Sequence, residues 1–213
     1  MQGDPQMKSL KRTVPLLTLF ALFLIFASAA FSQAEAKLVA EPNYDALLHV
    51  VVGTTDPGTS DSLPQPLSSV SKQLRTDFGI TNLKLLNTYL GRLTNNGRLE
   101  YKGVSNAYAA VLDSDAPTFL EWGLVGLKSL DNAAGQTIFQ FQTFRFGARV
   151  PVKVSNYKDE NGKSPQIINY ESIGLTLDRM SVTENVPTLV GTLSQPRTNG
   201  TLFLVLTVRN ATK

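Results

Sequence analysis

The chain has 213 residues, 42% of them hydrophobic and 17% charged, with one histidine, no cysteine and a formal net charge of +3. Without cysteine there can be no disulfide, thiolate nucleophile, cysteine-type zinc site or iron–sulfur cluster. The small basic excess, with no run of Lys or Arg, gives electrostatic attraction to nucleic acid little to work with.

Lys8, Lys11 and Arg12 precede an uncharged run from Thr13 to Ser32 that is rich in Leu, Phe and Ala. Small residues follow, as Ala30-Phe31-Ser32 and Ala34-Glu35-Ala36. A basic start, an apolar middle and a small-residue exit are what secretory machinery recognises, so residues 1–36 are expected to be a cleavable signal peptide. Met7 opens that signal better than Met1, and cleavage is expected after Ser32 or Ala36. The apolar stretch from Val14 to Phe31 approaches the ~20 residues of a membrane-spanning helix. An uncleaved anchor is therefore the alternative, and membrane contact is expected only in that case. Of the 20 basic and 17 acidic residues, Lys8, Lys11, Arg12, Asp4 and Glu35 fall in this segment, which leaves 17 against 15 in residues 37–213. Those residues suffice for a single domain with its own core. An exported domain held without disulfides fits a bacterial envelope protein, periplasmic or extracellular.

Residues 47–52 form a short apolar run, read as a buried strand, and the turn-rich stretch 53–66 reads as a loop. Leu67, Val70, Leu74 and Phe78 then recur at helical spacing, with Pro66 at the entry and Gly79 suited to a left-handed exit. One packed amphipathic helix is expected over residues 67–78. From there the period falls to two. Leu83, Leu85, Tyr89 and Leu93 are expected on one face of a strand, with Leu86 and Leu90 partly filling the other. Thr94-Asn95-Asn96-Gly97 predicts a type I′ hairpin turn, with residues 98–104 returning as the partner strand. Residues 119–127 read as a strand with Glu121 and Trp122 on opposite faces, and 131–136 as a turn.

In 138–154 the apolar parity changes. Phe139 and Phe141 are odd, whereas Phe144, Phe146, Ala148, Val150, Val152 and Val154 are even. A strand cannot change face without an irregularity, so a β-bulge or sharp bend is expected near Gln142–Thr143. Beyond it Arg145, Arg149 and Lys153 share the other face. A polar loop follows at 156–165, then strands over 167–179, 187–193 and 202–208. The last of these is apolar on both sides and is expected to be central and covered. Turn-punctuated strands at this spacing predict a mainly β fold, an antiparallel sandwich or partly open barrel carrying the one helix. An outer-membrane barrel fits less well, because residues 202–208 do not alternate and the chain ends in Asn210-Ala211-Thr212-Lys213. Pro187-Thr188-Leu189-Val190-Gly191 and the strand after it resemble the C-terminal strands of bacterial secretin-type assembly proteins. That likeness covers only common β vocabulary, and nothing is carried over from it.

Few residues point to chemistry. His49 lies in an apolar strand and reads as a packed histidine, with no Gly-x-Ser-x-Gly elbow to accompany it. Glu121, Asp113, Asp115, Glu171 and Asp178 are the carboxylates from which a two-carboxylate hydrolase would draw its pair. Asp113-Ser114-Asp115 and Asp159-Glu160-Asn161-Gly162 offer oxygen ligands without completing a calcium loop. Tyr101, Tyr108 and Trp122 could form a sugar platform or be core aromatics. Asn199 and Asn210 begin glycosylation triplets, which matter only in a eukaryotic secretory route. The best surface candidate is the Arg145, Arg149 and Lys153 stripe, facing an anionic glycan, a lipid head group or an acidic partner.

The expectation is an exported, non-catalytic interaction module without a cofactor, binding an envelope protein, a glycan or a lipid head group. The alternatives are a small carboxylate-dependent hydrolase and a barrel-type carrier of an apolar ligand.

Overall fold

The computed structural model describes residues 41–56, 63–105, 116–153, 167–195 and 200–211, with the backbone alone at Lys153. The expected signal peptide, Tyr108, Asp113, Asp115, Asp159 to Gly162 and Asn199 lie outside the described residues. The chain is mainly β, with antiparallel sheets and one α-helix among the described residues.

Strands β1 (Asn43–Thr54), β2 (Asn82–Thr94), β8 (Thr188–Ser194) and β9 (Thr201–Asn210) form sheet A in the order β2-β1-β9-β8. Sheet B contains β3 (Arg98–Ser105), β4 (Thr118–Val125), β5 (Lys128–Asp131), β6 (Thr137–Lys153) and β7 (Ile168–Thr183). There β7 follows β6 along its whole length, so β4 and β5 share the opposite edge of β6 in succession.

Alternation builds the core between the sheets. Ala46, Leu48 and Val50 of β1, and Leu202, Leu204 and Leu206 of β9, meet Trp122, Leu124, Phe144 and Phe146 of sheet B in one cluster. At about 25 cal/mol per Å² of apolar surface removed from water, the aromatic members dominate that term. The odd residues of β9 point the other way. Phe203 and Val205, with Val51 and Leu83, pack under the helix α1 (Ser68–Phe78) through Leu67, Val70 and Leu74. The final strand is thus apolar on both faces because it is covered on both, as expected from its sequence. A 3₁₀ turn at Gln65–Leu67 leads into α1, and Gly79 closes it in the left-handed region at φ 65°. Phe78, the end of the predicted apolar stripe, is half-exposed and rests edge-on against Phe203.

Several expectations are corrected. The face of β2 is split by a bulge at Leu86, where the pairing of β1 skips a residue. Leu83 and Leu85 therefore face α1, while Tyr89 and Leu93 face the inter-sheet core and Leu90 is exposed. The segment after the Asn-rich turn does form a strand, yet β3 pairs with β4 in sheet B and not with β2. The turn is a corner between sheets. Its Gly97 N–H donates to Thr94 O at 3.0 Å, and only Asn96 (φ 55°) takes a positive φ within it, so it is not type I′. Sheet B holds it in place, with Asn96 N–H donating to Leu127 O and Gly126 N–H donating to Gly97 O.

The parity change in β6 occurs where the sequence placed it, but no one-sided bulge produces it. The pairing steps from Phe141–Met180 to Thr143–Asp178, passing over one residue on each strand and keeping the same register on either side. The neighbours change parity too. Inward residues pass from Leu124 to Leu127 beside β6, and from Leu177 to Met180 in β7. Gly126 (φ 68°) and Arg179 (φ 58°) are left-handed at this level. A crease crosses sheet B here, and every strand it meets changes face together.

Candidate functional site

The outward face of sheet B is fixed by the register. One cross-strand row runs Val104, Phe119, Arg149, Ser172, and the next runs Lys102, Glu121, Gly147, Gly174. A third runs Glu100, Gly123, Arg145, Thr176. Facing residues in such rows lie about 4.5–5.5 Å apart, so their side chains meet directly. Where Gly147 and Gly174 fall side by side, the face has no side chains and the sheet is bare backbone. An open groove of about 610 Å³ occupies this place, lined chiefly by Lys102, Val104, Phe119, Glu121, Gly147 and Arg149.

Phe119 is the aromatic member of the lining, and Tyr170 packs against it from beside the groove. Phe119 and Tyr170 are each 37% exposed, with ring centroids 5.4 Å apart. The guanidinium carbon of Arg149 lies 5.1 Å from the Phe119 centroid, an arrangement in which the ring quadrupole attracts the cation. On the other side Lys102 Nζ stands 3.8 Å from a Glu121 carboxylate oxygen. This exposed pair is long and contributes little to stability.

The predicted basic stripe is therefore not uniform. Arg145 lies 3.7 Å from Glu100, which also accepts a hydrogen bond from Arg98. These cations hold the exposed Glu100 carboxyl below its usual range, the Arg98 hydrogen bond first and its charge next. Arg149 is exposed and has no carboxylate partner among the described residues. Lys153 ends β6 opposite Ile168.

The candidate carboxylates among the described residues, Glu121, Glu171 and Asp178, do not converge. Glu121 faces Gly147, whereas Asp178 faces Thr143, four residues away on β6 and so about 13 Å along the strand. Asp178 accepts a hydrogen bond from Thr143 Oγ1 at 2.9 Å. Glu171 sits opposite Val150 and so on the other face of the sheet from Glu121. The suggested sugar platform is also redistributed: Trp122 is 1% exposed, and Tyr101 packs with Tyr89 at the same core. The exposed aromatic pair is Phe119 with Tyr170, a meeting of residues 51 positions apart that the sequence reading missed.

On sheet A, His49 Nδ1 lies 2.9 Å from Thr88 Oγ1, and burial pushes its pKa down. Beyond it Asp45 is buried and bridged by Arg92 Nε at 2.9 Å and Arg209 Nε at 3.8 Å. This cluster ties β2, β1 and β9 together. Among the described residues no helix is long and apolar enough to cross a membrane, and no three His, Asp or Glu side chains gather as a metal-binding group.

Comparison with protein families, with curated proteins and with solved structures finds no match to this chain. The functional reading rests on the groove and its residues.

Proposed function

We propose that this chain is an exported, non-catalytic interaction module that binds an envelope component through the outward groove of sheet B. The N-terminal sequence supports export, with Lys8, Lys11 and Arg12 ahead of an apolar run and a small-residue exit. The observation that carries the binding reading is Arg149, set over Phe119 at the rim of the groove and without an ion-pair partner among the described residues. A two-carboxylate hydrolase is less favoured because Glu121, Glu171 and Asp178 stand apart. An apolar carrier is less favoured because Trp122, Phe139, Phe141, Phe144 and Phe146 fill the space between the sheets.

The test has two parts. Intact mass of the protein from fractionated native cells should match cleavage after Ser32 or Ala36, in a periplasmic or extracellular fraction. Full-length protein found only in membranes points instead to an anchored domain. Envelope polysaccharide, lipid and protein fractions are then titrated separately against the processed chain and against Gly147→Val, which fills the groove floor. One fraction should bind the parent and not the variant. Equal binding by both places the site elsewhere.

A further inference from the structure

Resting on that reading, we infer that the groove takes an acidic oligosaccharide, a chain of sugar rings bearing uronic-type carboxylates. Three groups on the groove make complementary demands. Arg149, exposed and with its guanidinium carbon over the Phe119 ring, carries N–H donors that match a carboxylate in fork geometry. Glu121, across the floor, is an acceptor when ionised and asks for hydroxyl donors. Phe119 and Tyr170 offer apolar faces and edges on which the C–H face of a ring can lie. A uronic sugar carries the carboxylate, the hydroxyls and the apolar ring face in one unit. A neutral sugar lacks the first. An inorganic phosphate lacks the apolar ring face that Phe119 would meet.

The floor supports the same ligand. The three atoms nearest a Cβ on Gly147 all belong to the Glu121 side chain, 3.3–3.8 Å away, whereas a Cβ on Gly174 would meet Phe146 O at 2.6 Å, so backbone packing accounts for glycine at 174 but not at 147. Glycine inside a strand weakens it and marks places where another molecule approaches the backbone closely. A flat ring resting on bare backbone is such a molecule. The groove volume of about 610 Å³ falls within the ordinary range for small-ligand sites, about 300–1,000 Å³. The charged lining of Lys102, Arg149 and Glu121 leaves one positive charge for one carboxylate.

The experiment titrates the processed chain by calorimetry with oligogalacturonate and with the same oligomer after carboxyl reduction. The acidic oligomer should bind at least about tenfold more tightly, the loss expected for one charge-assisted contact of about 1.4 kcal/mol. Arg149→Gln should make the two oligomers equal, Glu121→Gln should weaken both, and Gly147→Val should abolish both. Thermal melting of each variant checks that it folds, and Arg149→Gln, a surface change, keeps the test open if Gly147→Val does not. Equal affinity for the two oligomers, or no binding of either, overturns the inference. If neither oligomer binds while a protein or lipid fraction still binds in a Gly147-dependent way, the inference falls and the groove reading stands. If no fraction depends on Gly147, both fall.

Discussion

Gln142 and Arg179 are passed over together in the pairing of β6 with β7, at the level where both strands change the face they present to the core. Each strand passes the same irregularity at the same place, so their register survives it. The Phe141–Met180 pair and the Thr143–Asp178 pair frame the position. Arg179 bears the local cost, since its φ of 58° is a left-handed backbone that a side chain with a Cβ adopts unfavourably.

Arg179→Gly should relieve that cost. The gain is limited by the greater freedom of glycine in the unfolded chain, and a net stabilisation of up to about 1 kcal/mol is expected. Arg179→Val should instead destabilise, because a β-branched residue tolerates this region worst. Urea denaturation of the three proteins orders them. A Val variant as stable as the Gly variant would refute the assignment of strain to this residue.

Gly126 is the matching hinge beside β6. A Cβ there would overlap the Gln142 side chain at 2.5 Å, and the φ of 68° adds backbone strain. Gly126→Ala should cost about 2–3 kcal/mol, of which about 1–2 kcal/mol is backbone strain. Adding Gln142→Ala should recover the steric part and leave the backbone part. A double-mutant cycle measures the division, and strict additivity would show that the two residues do not meet.

Asp45→Asn should destabilise by about 2 kcal/mol. It removes the negative charge shared by Arg92 and Arg209 while leaving the carbonyl to accept one hydrogen bond. Both arginines are half-exposed, so water moderates the loss below that of a fully buried pair. Chemical denaturation gives the figure, and a change under about 0.5 kcal/mol, the ordinary scatter of a surface substitution, would mean the bridge is ornamental.

Burial lowers the His49 pKa in the folded chain relative to the unfolded one. As pH falls through the ordinary imidazole value of about 6.5, the unfolded chain takes up the proton first. Its contribution to stability is therefore full above that value and lost on acidification, until the folded histidine also protonates. Among the described residues Thr88 is its hydrogen-bond partner. Melting temperatures between pH 7.5 and pH 5 should fall more steeply for the parent than for His49→Gln. Parallel curves would remove His49 from the pH response.

The elements with strong local signals were legible in the sequence. The helix carried an apolar stripe and a glycine stop, and β9 was apolar on both sides because two layers cover it. Strand partnership was not legible at the Asn95–Gly97 turn. A tight turn brings two strands close whether they pair or part into different sheets, and the docking of Asn96 on Leu127, 31 positions away, decided it. The site was half legible. Alternation put Glu121 and Trp122 on opposite faces but did not say which face was outward. Phe119 and Tyr170 meet only through the register of β4, β6 and β7, which no local pattern encodes.

The pairing of β1 with β9 has a consequence for how the chain acquires its structure. Tyr44 lies opposite Asn210, so the first described strand completes its ladder with the last. During synthesis β1 must wait for nearly the whole sequence before its central partner exists, and closing so long a loop slows assembly. Sheet A therefore cannot be completed before β9 is made, and the β1–β9 ladder joins segments far apart along the chain. A truncation removing residues 201–210 should likewise leave Val51 and the underside of the helix without Phe203 and Val205, and the remaining chain without a stable fold.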